Sequence, residues 1–386
     1  MKIPGKKPLL GVCVAFVVSI ILLSFGTWQK KDSTPSDNMG GVFSGVFPWG
    51  NVYYPELGRG RVEFTVIPLD TAHFWEFAPI GHIRLPQHPI PTAAGGFQFK
   101  TFNDPQPIRA PADGVITCIR YLRIREHGVE YDDYRLYLFH TNTFISDFDH
   151  LSAIDPSILS RISTLKEGFN QVYVPVKAGD VIAKTGMYIA GLGWYLYDLE
   201  ANLNYVNKEK YGPMAYSVFP LDYFRQDLGE LLYTFVRRTK EPRGGRADFD
   251  IDGTISGNWI VEGSDPRSGP ESWSVWLSFC YDMYDPDCRR ISIGTALGRT
   301  IGEENGVLTC PKGGPAYTEV TPASGPVVYR LYPVWEGQEF FGVQVDETIR
   351  YTLLVQMVDN RKIKVELFRG DVPNPSFTSK AMYYTR

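Results

Sequence analysis

The chain has 386 residues, 44% of them apolar and 21% charged, with a net charge of −4. That length suits two ordinary domains, and the balance excludes an intrinsically disordered chain. No basic stripe is present, which sets nucleic acid aside as a partner. Aromatic residues reach 14%, with 23 Tyr and 23 Phe, and this favours strands.

Lys2, Lys6 and Lys7 precede an uncharged run from Leu9 to Gly26, and Lys30 and Lys31 follow it. A basic start ahead of an apolar run predicts an export signal. The run also reaches the lower limit for spanning a bilayer, so residues 1–26 read as a signal peptide or an N-terminal membrane anchor. The expected location is outside the cytoplasm, membrane-anchored or secreted, in the cell envelope or periplasm. Residues 27–50, rich in Ser, Thr, Pro, Asn and Gly, read as a linker. Four later cysteines, Cys118, Cys280, Cys288 and Cys310, can pair in three ways or stay free as small buried groups.

Arg61–Val66 alternates with a period of two and predicts a half-buried strand. Short strands are predicted over Gly114–Tyr121, Tyr134–Phe139, Val172–Val176 and Trp194–Ala201, with Gly, Pro and Asp between them. Leu221, Phe224, Leu228, Leu231, Leu232 and Phe235 recur at three- and four-residue steps, predicting one helix with an apolar stripe. Arg237, Arg238 and Lys240 sit where cations suit a helix C-terminus. Glu241–Arg246 is a breaker-rich link, dividing a unit over 51–240 from another over 246–386. In the second unit Trp273–Phe279, Val327–Tyr332, Phe340–Val345, Tyr351–Met357 and Lys362–Phe368 all read as strands. The fold class expected is mostly β, with a connecting helix and a C-terminal barrel or sandwich.

Three segments of the first unit carry a pattern. They are Arg109-Ala110-Pro111-Ala112-Asp113-Gly114-Val115-Ile116, Phe148-Asp149-His150-Leu151, and Val176-Lys177-Ala178-Gly179-Asp180-Val181-Ile182-Ala183-Lys184-Thr185-Gly186. In this order they resemble the lysostaphin-like (LytM-type) zinc endopeptidases of peptidoglycan. The resemblance implies a duplicated-hybrid-motif antiparallel β-domain and a metal held by a His and an Asp ahead of the first segment and by the last His of "H-x-H". Such zinc takes three protein ligands and activates a water. Where the upstream ligands belong, Ala93–Gly96 has neither His nor Asp, and "H-x-H" reads Tyr195-Leu196-Tyr197. A phenol with a pKa near 10 is a poor zinc ligand. His150 matches the catalytic His of the second segment. The relict groove is therefore assigned to His88, His150, Tyr195 and Tyr197, with no catalytic set, cofactor or metal expected. Asp149 and His150, as strand neighbours, are expected on opposite faces.

The same alternating "A-D-G-x-I … A-G-D-x-I-A" words also resemble the hybrid motif of export-pump adaptor proteins, but those insert long helices where this chain alternates. Asp248, Asp250 and Asp252 form half of a calcium loop, whose twelfth position is Trp259. Alternatively, Phe249-Asp250 and Gly257-Asn258-Trp259 resemble the opening of lipocalin-like barrels, implying a Trp that closes the barrel floor and room for a small apolar ligand. The expected function is non-catalytic binding or scaffolding in the cell envelope, toward peptidoglycan or an envelope peptide. An active metalloendopeptidase with unorthodox ligands is the alternative, and a membrane-anchored adaptor the second.

Overall fold

The computed structural model describes residues 47, 50, 52–101, 103–126, 129–187, 190–267 and 272–386. The expected signal or anchor lies outside the described residues, as does the linker apart from Phe47 and Gly50. Among the described residues no helix is long and apolar enough to cross a membrane.

The protein is mostly β, in an antiparallel sheet followed by a closed barrel. The sheet has ten strands: β1 (Phe74–Ala78), β2 (Gly95–Phe99), β3 (Pro107–Arg109), β4 (Gly114–Glu126), β5 (Val129–Thr141), β6 (Phe144–Ile154), β7 (Gly168–Val176), β8 (Val181–Thr185), β9 (Gly191–Asp198) and β10 (Ser217–Val218). Its order is β1-β2-β9-β6-β5-β4-β7, with β8 beside β6 and β3, and β10 beside β9. One face buries Leu136, Leu138, Phe148, Trp194 and Leu196, and Trp194 stacks on Phe148 and Phe97 at 5.2 and 6.3 Å. Each such side chain, fully buried, contributes roughly 1.5–3 kcal/mol. Period-two alternation then turns their neighbours, Arg135, Tyr137, Asp147, Asp149, Tyr195 and Tyr197, to the opposite face.

Strands occur wherever the first unit's pattern predicts them, except over Arg61–Val66, where Phe64 makes a single bridge to Phe224. Phe64 is fully buried against Trp194 and His140, so alternation here reflects side-chain packing without a ladder. Gly179 has the positive φ of a tight turn, +92°. Gly114 is needed for another reason: a Cβ there would lie 2.5 Å from the Phe139 carbonyl oxygen. Between residues 121 and 172 the described residues build strands and one short helix, α1 (Pro156–Leu159), with no long helical hairpin among them.

The predicted long helix is broken. Pro220–Tyr223 forms a 3-10 turn, Phe224 is extended, and α2 spans only Gln226–Tyr233. Phe224 is held out of the helix by its bridge to Phe64. Leu221, Phe224 and Leu232 are buried in the sheet core, whereas Leu231 is exposed. The cations beyond the helix serve another purpose. Arg238 donates to the Asp282 and Met283 carbonyls, and Lys240 pairs with Asp285 and Asp287 at 2.6 and 2.7 Å, tying this segment to the second unit. The Glu241–Arg246 link is also tightly packed, with Gly245 at φ +79° bridged to Ile80.

The second unit is an up-and-down barrel of β11 (Gly257–Val261), β12 (Trp276–Tyr281), β13 (Arg289–Ile293), β14 (Val307–Pro311), β15 (Val327–Pro333), β16 (Tyr351–Asp359), β17 (Lys362–Arg369) and β18 (Met382–Thr385). Pairing of β11 with β18 closes it, so a sandwich is excluded. A short helix, α3 (Thr295–Gly298), follows β13. Phe340–Val345, expected as a strand, is instead a turn whose Phe340 stacks on Tyr284 at 5.0 Å. The interior holds Trp259, Phe279, Tyr317 and Tyr329, with Phe279 5.5 Å from Tyr317 and 6.2 Å from Tyr329. Trp259 is fully buried, donates to the Ile255 carbonyl, and carries the Arg386 guanidinium 4.1 Å above its ring. Cys280, Cys288 and Cys310 carry no disulfide, so the short loop that Cys280 and Cys288 bracket is not closed by one.

The outer face of β12 is also buried. Trp276 packs with Ile90, Tyr205 and Tyr211, and Cys280 packs with Ile83 and Leu308. Residues 80–92 are thereby held against the barrel, and they carry His82 and His88 toward the sheet.

Candidate functional site

The polar face of the sheet is built by register. Arg120 on β4 lies directly opposite Arg135 on β5, a like-charge pair that is unfavourable alone. Three acids relieve it. Arg135 holds Asp147 through two bonds of 2.7 and 2.5 Å and Asp149 at 3.1 Å. Arg120 reaches Asp149 at 3.2 Å and Asp133 at 3.4 Å. Tyr197 donates to Asp147 at 2.7 Å, and His150 Nδ1 lies 3.2 Å from Asp133. Tyr195 lies under the Arg135 guanidinium at 4.9 Å and stacks on Tyr197 at 5.9 Å.

His150 is the residue whose placement differs most from expectation. Its φ is +62°, a left-handed conformation uncommon for a side-chain-bearing residue. The pairing of β5 with β6 shifts register at this point, and the resulting bulge turns His150 back to the face that bears Asp149. Asp133, Asp149 and His150 therefore offer ligand atoms within 4.8 Å of one another, the one such group among the described residues.

The electrostatics follow from burial and pairing. Burial alone would raise the Asp149 pKa, but Arg135, His150 and Arg120 outweigh it and hold the carboxyl below its usual range. For Asp147 burial wins over Arg135, and its pKa is raised. Burial opposes the charged form of His150, yet Asp149 and Asp133 raise its pKa above the ordinary value. Burial pushes Tyr195 up to about 12 and Tyr197 well above 10, so both phenols stay protonated at neutral pH.

The other predicted groove residue, His88, borders this set: it is electrostatically coupled to His150 and Asp149. Burial, with His150 and Arg84 adding to it, lowers its pKa to about 4, and its Nδ1 lies 3.2 Å from the Thr92 hydroxyl. His82 stands 6.1 Å from it and is lowered to about 3. His140 is a core group, bonded to the Asp113 carbonyl and the Ser146 hydroxyl at 2.9 Å each. Part of the face is covered by the chain itself: Phe47, Tyr54 and Leu57 pack with Tyr137 and Tyr197, and Asn142 clamps the Tyr54 backbone at 2.8 and 2.7 Å.

The zinc implied by the motif resemblance does not fit these residues. At the place of the missing upstream ligands, a Cβ on Gly95 would lie 2.6 Å from the Phe77 ring, and one on Gly96 2.8 Å from the Leu192 carbonyl oxygen. A side chain at Gly95 would displace the buried Phe77 ring, and one at Gly96 would displace backbone. At the surviving donors, Arg120 sits between Asp133 and Asp149, so their charge is already met by a cation. Charge pairing of this kind is what a buried carboxylate requires in place of a metal.

Asp248, Asp250 and Asp252 are not brought together. Asp248 accepts from Asn204 N and Arg246, Asp250 from Val206 N and Asn258 N, and Asp252 pairs with Arg361. Asp133, Arg120 and Arg135 were not among the residues singled out in the sequence. Their one sequence signal is charge on alternate positions of predicted inner strands, as in Asp133-Tyr134-Arg135.

No family model matches the chain, and no curated protein matches it. Among solved structures, the orthorhombic and hexagonal crystal forms of Helicobacter pylori Csd3 are similar at 17% identity and a TM-score of 0.25. They cover 45% and 46% of this chain, respectively. The chain spans 40% of the length of those structures.

Proposed function

We propose that this chain is an exported, non-catalytic cell-envelope protein in which an endopeptidase-type sheet serves as a binding surface or scaffold. The observation that carries this reading is the pair of arginines. Arg120 and Arg135 meet Asp133, Asp147 and Asp149 at distances of 2.5–3.4 Å. A hydrolytic metal site needs anionic or neutral donors around an open coordination position. Here guanidinium groups take up the carboxylate charge instead. A peptide from the cell wall is the proposed partner, bound beside the half-covered face around Tyr195 and His88. The N-terminal segment is proposed to tether or export the protein. In the barrel, a small apolar ligand would have to displace the packed Phe279, Tyr317 and Tyr329 rings. The barrel is instead proposed to act as a platform holding residues 80–92 against the sheet.

A second reading is favoured by one observation, the proximity of Asp133, Asp149 and His150 donor atoms within 4.8 Å. Under it the protein is a metalloendopeptidase with an Asp-Asp-His set, and Arg120 must swing away. Incubating the full chain with zinc and cell-wall peptides separates the two. The first reading expects peptide binding that survives a chelator and no cleavage. Zinc-dependent cleavage that disappears in His150→Ala would replace it with the second.

A further inference from the structure

Away from the charge network, an exposed strip of aromatic side chains crosses from the sheet to the barrel. Trp75 projects from β1 and is 41% exposed. The Arg237 guanidinium lies 4.6 Å above its ring and 5.6 Å from that of Phe341. Phe341, 40% exposed, is followed by Trp335, 49% exposed, with ring planes 18° apart at 6.5 Å. Large apolar rings left in water at this density mark a contact surface, since isolated ones carry no such continuity.

The cation at its centre is weakly neutralised. Its nearest acid is Glu76 at 3.8 Å, beyond hydrogen-bonding distance. Glu76 is wholly buried beneath the strip, where the Tyr284 hydroxyl and the Arg237 guanidinium face its carboxyl. Burial, offset in part by Tyr284 and Arg237, raises its pKa to about 7, so at neutral pH it supplies only part of a negative charge. Arg237 thus presents a positive charge, held between two ring faces, toward solvent.

From this geometry we infer that Trp75, Arg237, Phe341 and Trp335 form a binding subsite for an acidic polysaccharide. Pyranose rings present flat faces of C–H groups, whose slight positive charge suits the negative face of an aromatic ring. A carboxylate on such a ring supplies the anion that the guanidinium lacks, in a bidentate contact. A neutral glycan would leave that charge unmet, and an unstructured acidic peptide would leave the ring faces unused.

The full chain titrated calorimetrically with an oligogalacturonide tests the inference, alongside an uncharged cello-oligosaccharide and polyglutamate. Saturable binding of the oligogalacturonide is expected, weakened about tenfold by Trp335→Ala and by Arg237→Gln. The cello-oligosaccharide is expected to bind more weakly and to be insensitive to Arg237→Gln. Both substituted side chains are about half exposed, and unchanged thermal unfolding of the variants separates lost binding from lost fold. Absence of saturable binding, equal binding of polyglutamate, or oligogalacturonide affinity unaltered by Trp335→Ala would each overturn it.

Discussion

Replacing Glu76 with glutamine should stabilise the protein, and by an amount that depends on pH. Glu76 is fully buried between β1 and the barrel loop that bears Tyr284, facing Arg237 and the Tyr284 hydroxyl. Glu336, which also interacts with Tyr284, is the other acid near it. Burial raises the Glu76 pKa from 4.5 to about 7, so the folded chain holds this proton more tightly than the unfolded chain does. The sign follows from linkage: the contribution is complete below the unfolded value, declines as pH rises toward 7, and is lost above it. The interval corresponds to about 3 kcal/mol as an upper bound. Glutamine keeps the shape and has no proton to lose. Urea unfolding of both proteins at about pH 5 and about pH 8 should therefore show a variant-minus-parent difference that grows by up to about 3 kcal/mol toward alkaline pH. Other titrating groups are common to both proteins and cancel in this difference. A difference that stays constant across the range would refute the placement of a carboxyl in that buried seam.

Arg120→Ala should destabilise the fold by about 3–5 kcal/mol, because it leaves Asp133 and Asp149 buried without one of their cations; denaturant midpoints check this. His150→Gln should flatten the stability profile above neutrality. The raised folded pKa means that His150 contributes fully below its unfolded value near 6.5 and loses that contribution as pH rises through the folded one, which thermal unfolding across that window reads out. Arg386→Ala should cost about 2–4 kcal/mol, since it removes the cation over Trp259 and the bonds to the Ser256 and Ile251 carbonyls; iodide quenching of the Trp259 indole, buried in the parent, should rise in parallel.

Much of the architecture was legible because it rests on local periodicity. The strands that hold Tyr195 and Tyr197 alternate cleanly, so their shared face follows from the sequence. The closed barrel was one of two readings there, and the β11–β18 pairing that closes it joins residues more than a hundred positions apart. The Phe340–Val345 turn misled because aromatic and β-branched residues that pack on Tyr284 look like a strand. Phe64 and Phe224 misled in a similar way, since one bridge between them cancels both a predicted strand and the first half of a predicted helix. In the site, Tyr195, Tyr197 and His150 were found through motif positions. Arg120, Asp133 and Arg135 were not, because only the β4–β5–β6 register places them beside Asp149. The bulge at His150 was invisible too: its positive φ is carried by a residue with a Cβ, without the glycine that usually signals it.

Zinc content of the full chain, measured by elemental analysis after dialysis against excess zinc and then against buffer, bears most directly on whether guanidinium groups have replaced a metal. Substoichiometric zinc, the same in His150→Ala, is the expected result. One zinc retained per chain, and released by that substitution, would contradict it.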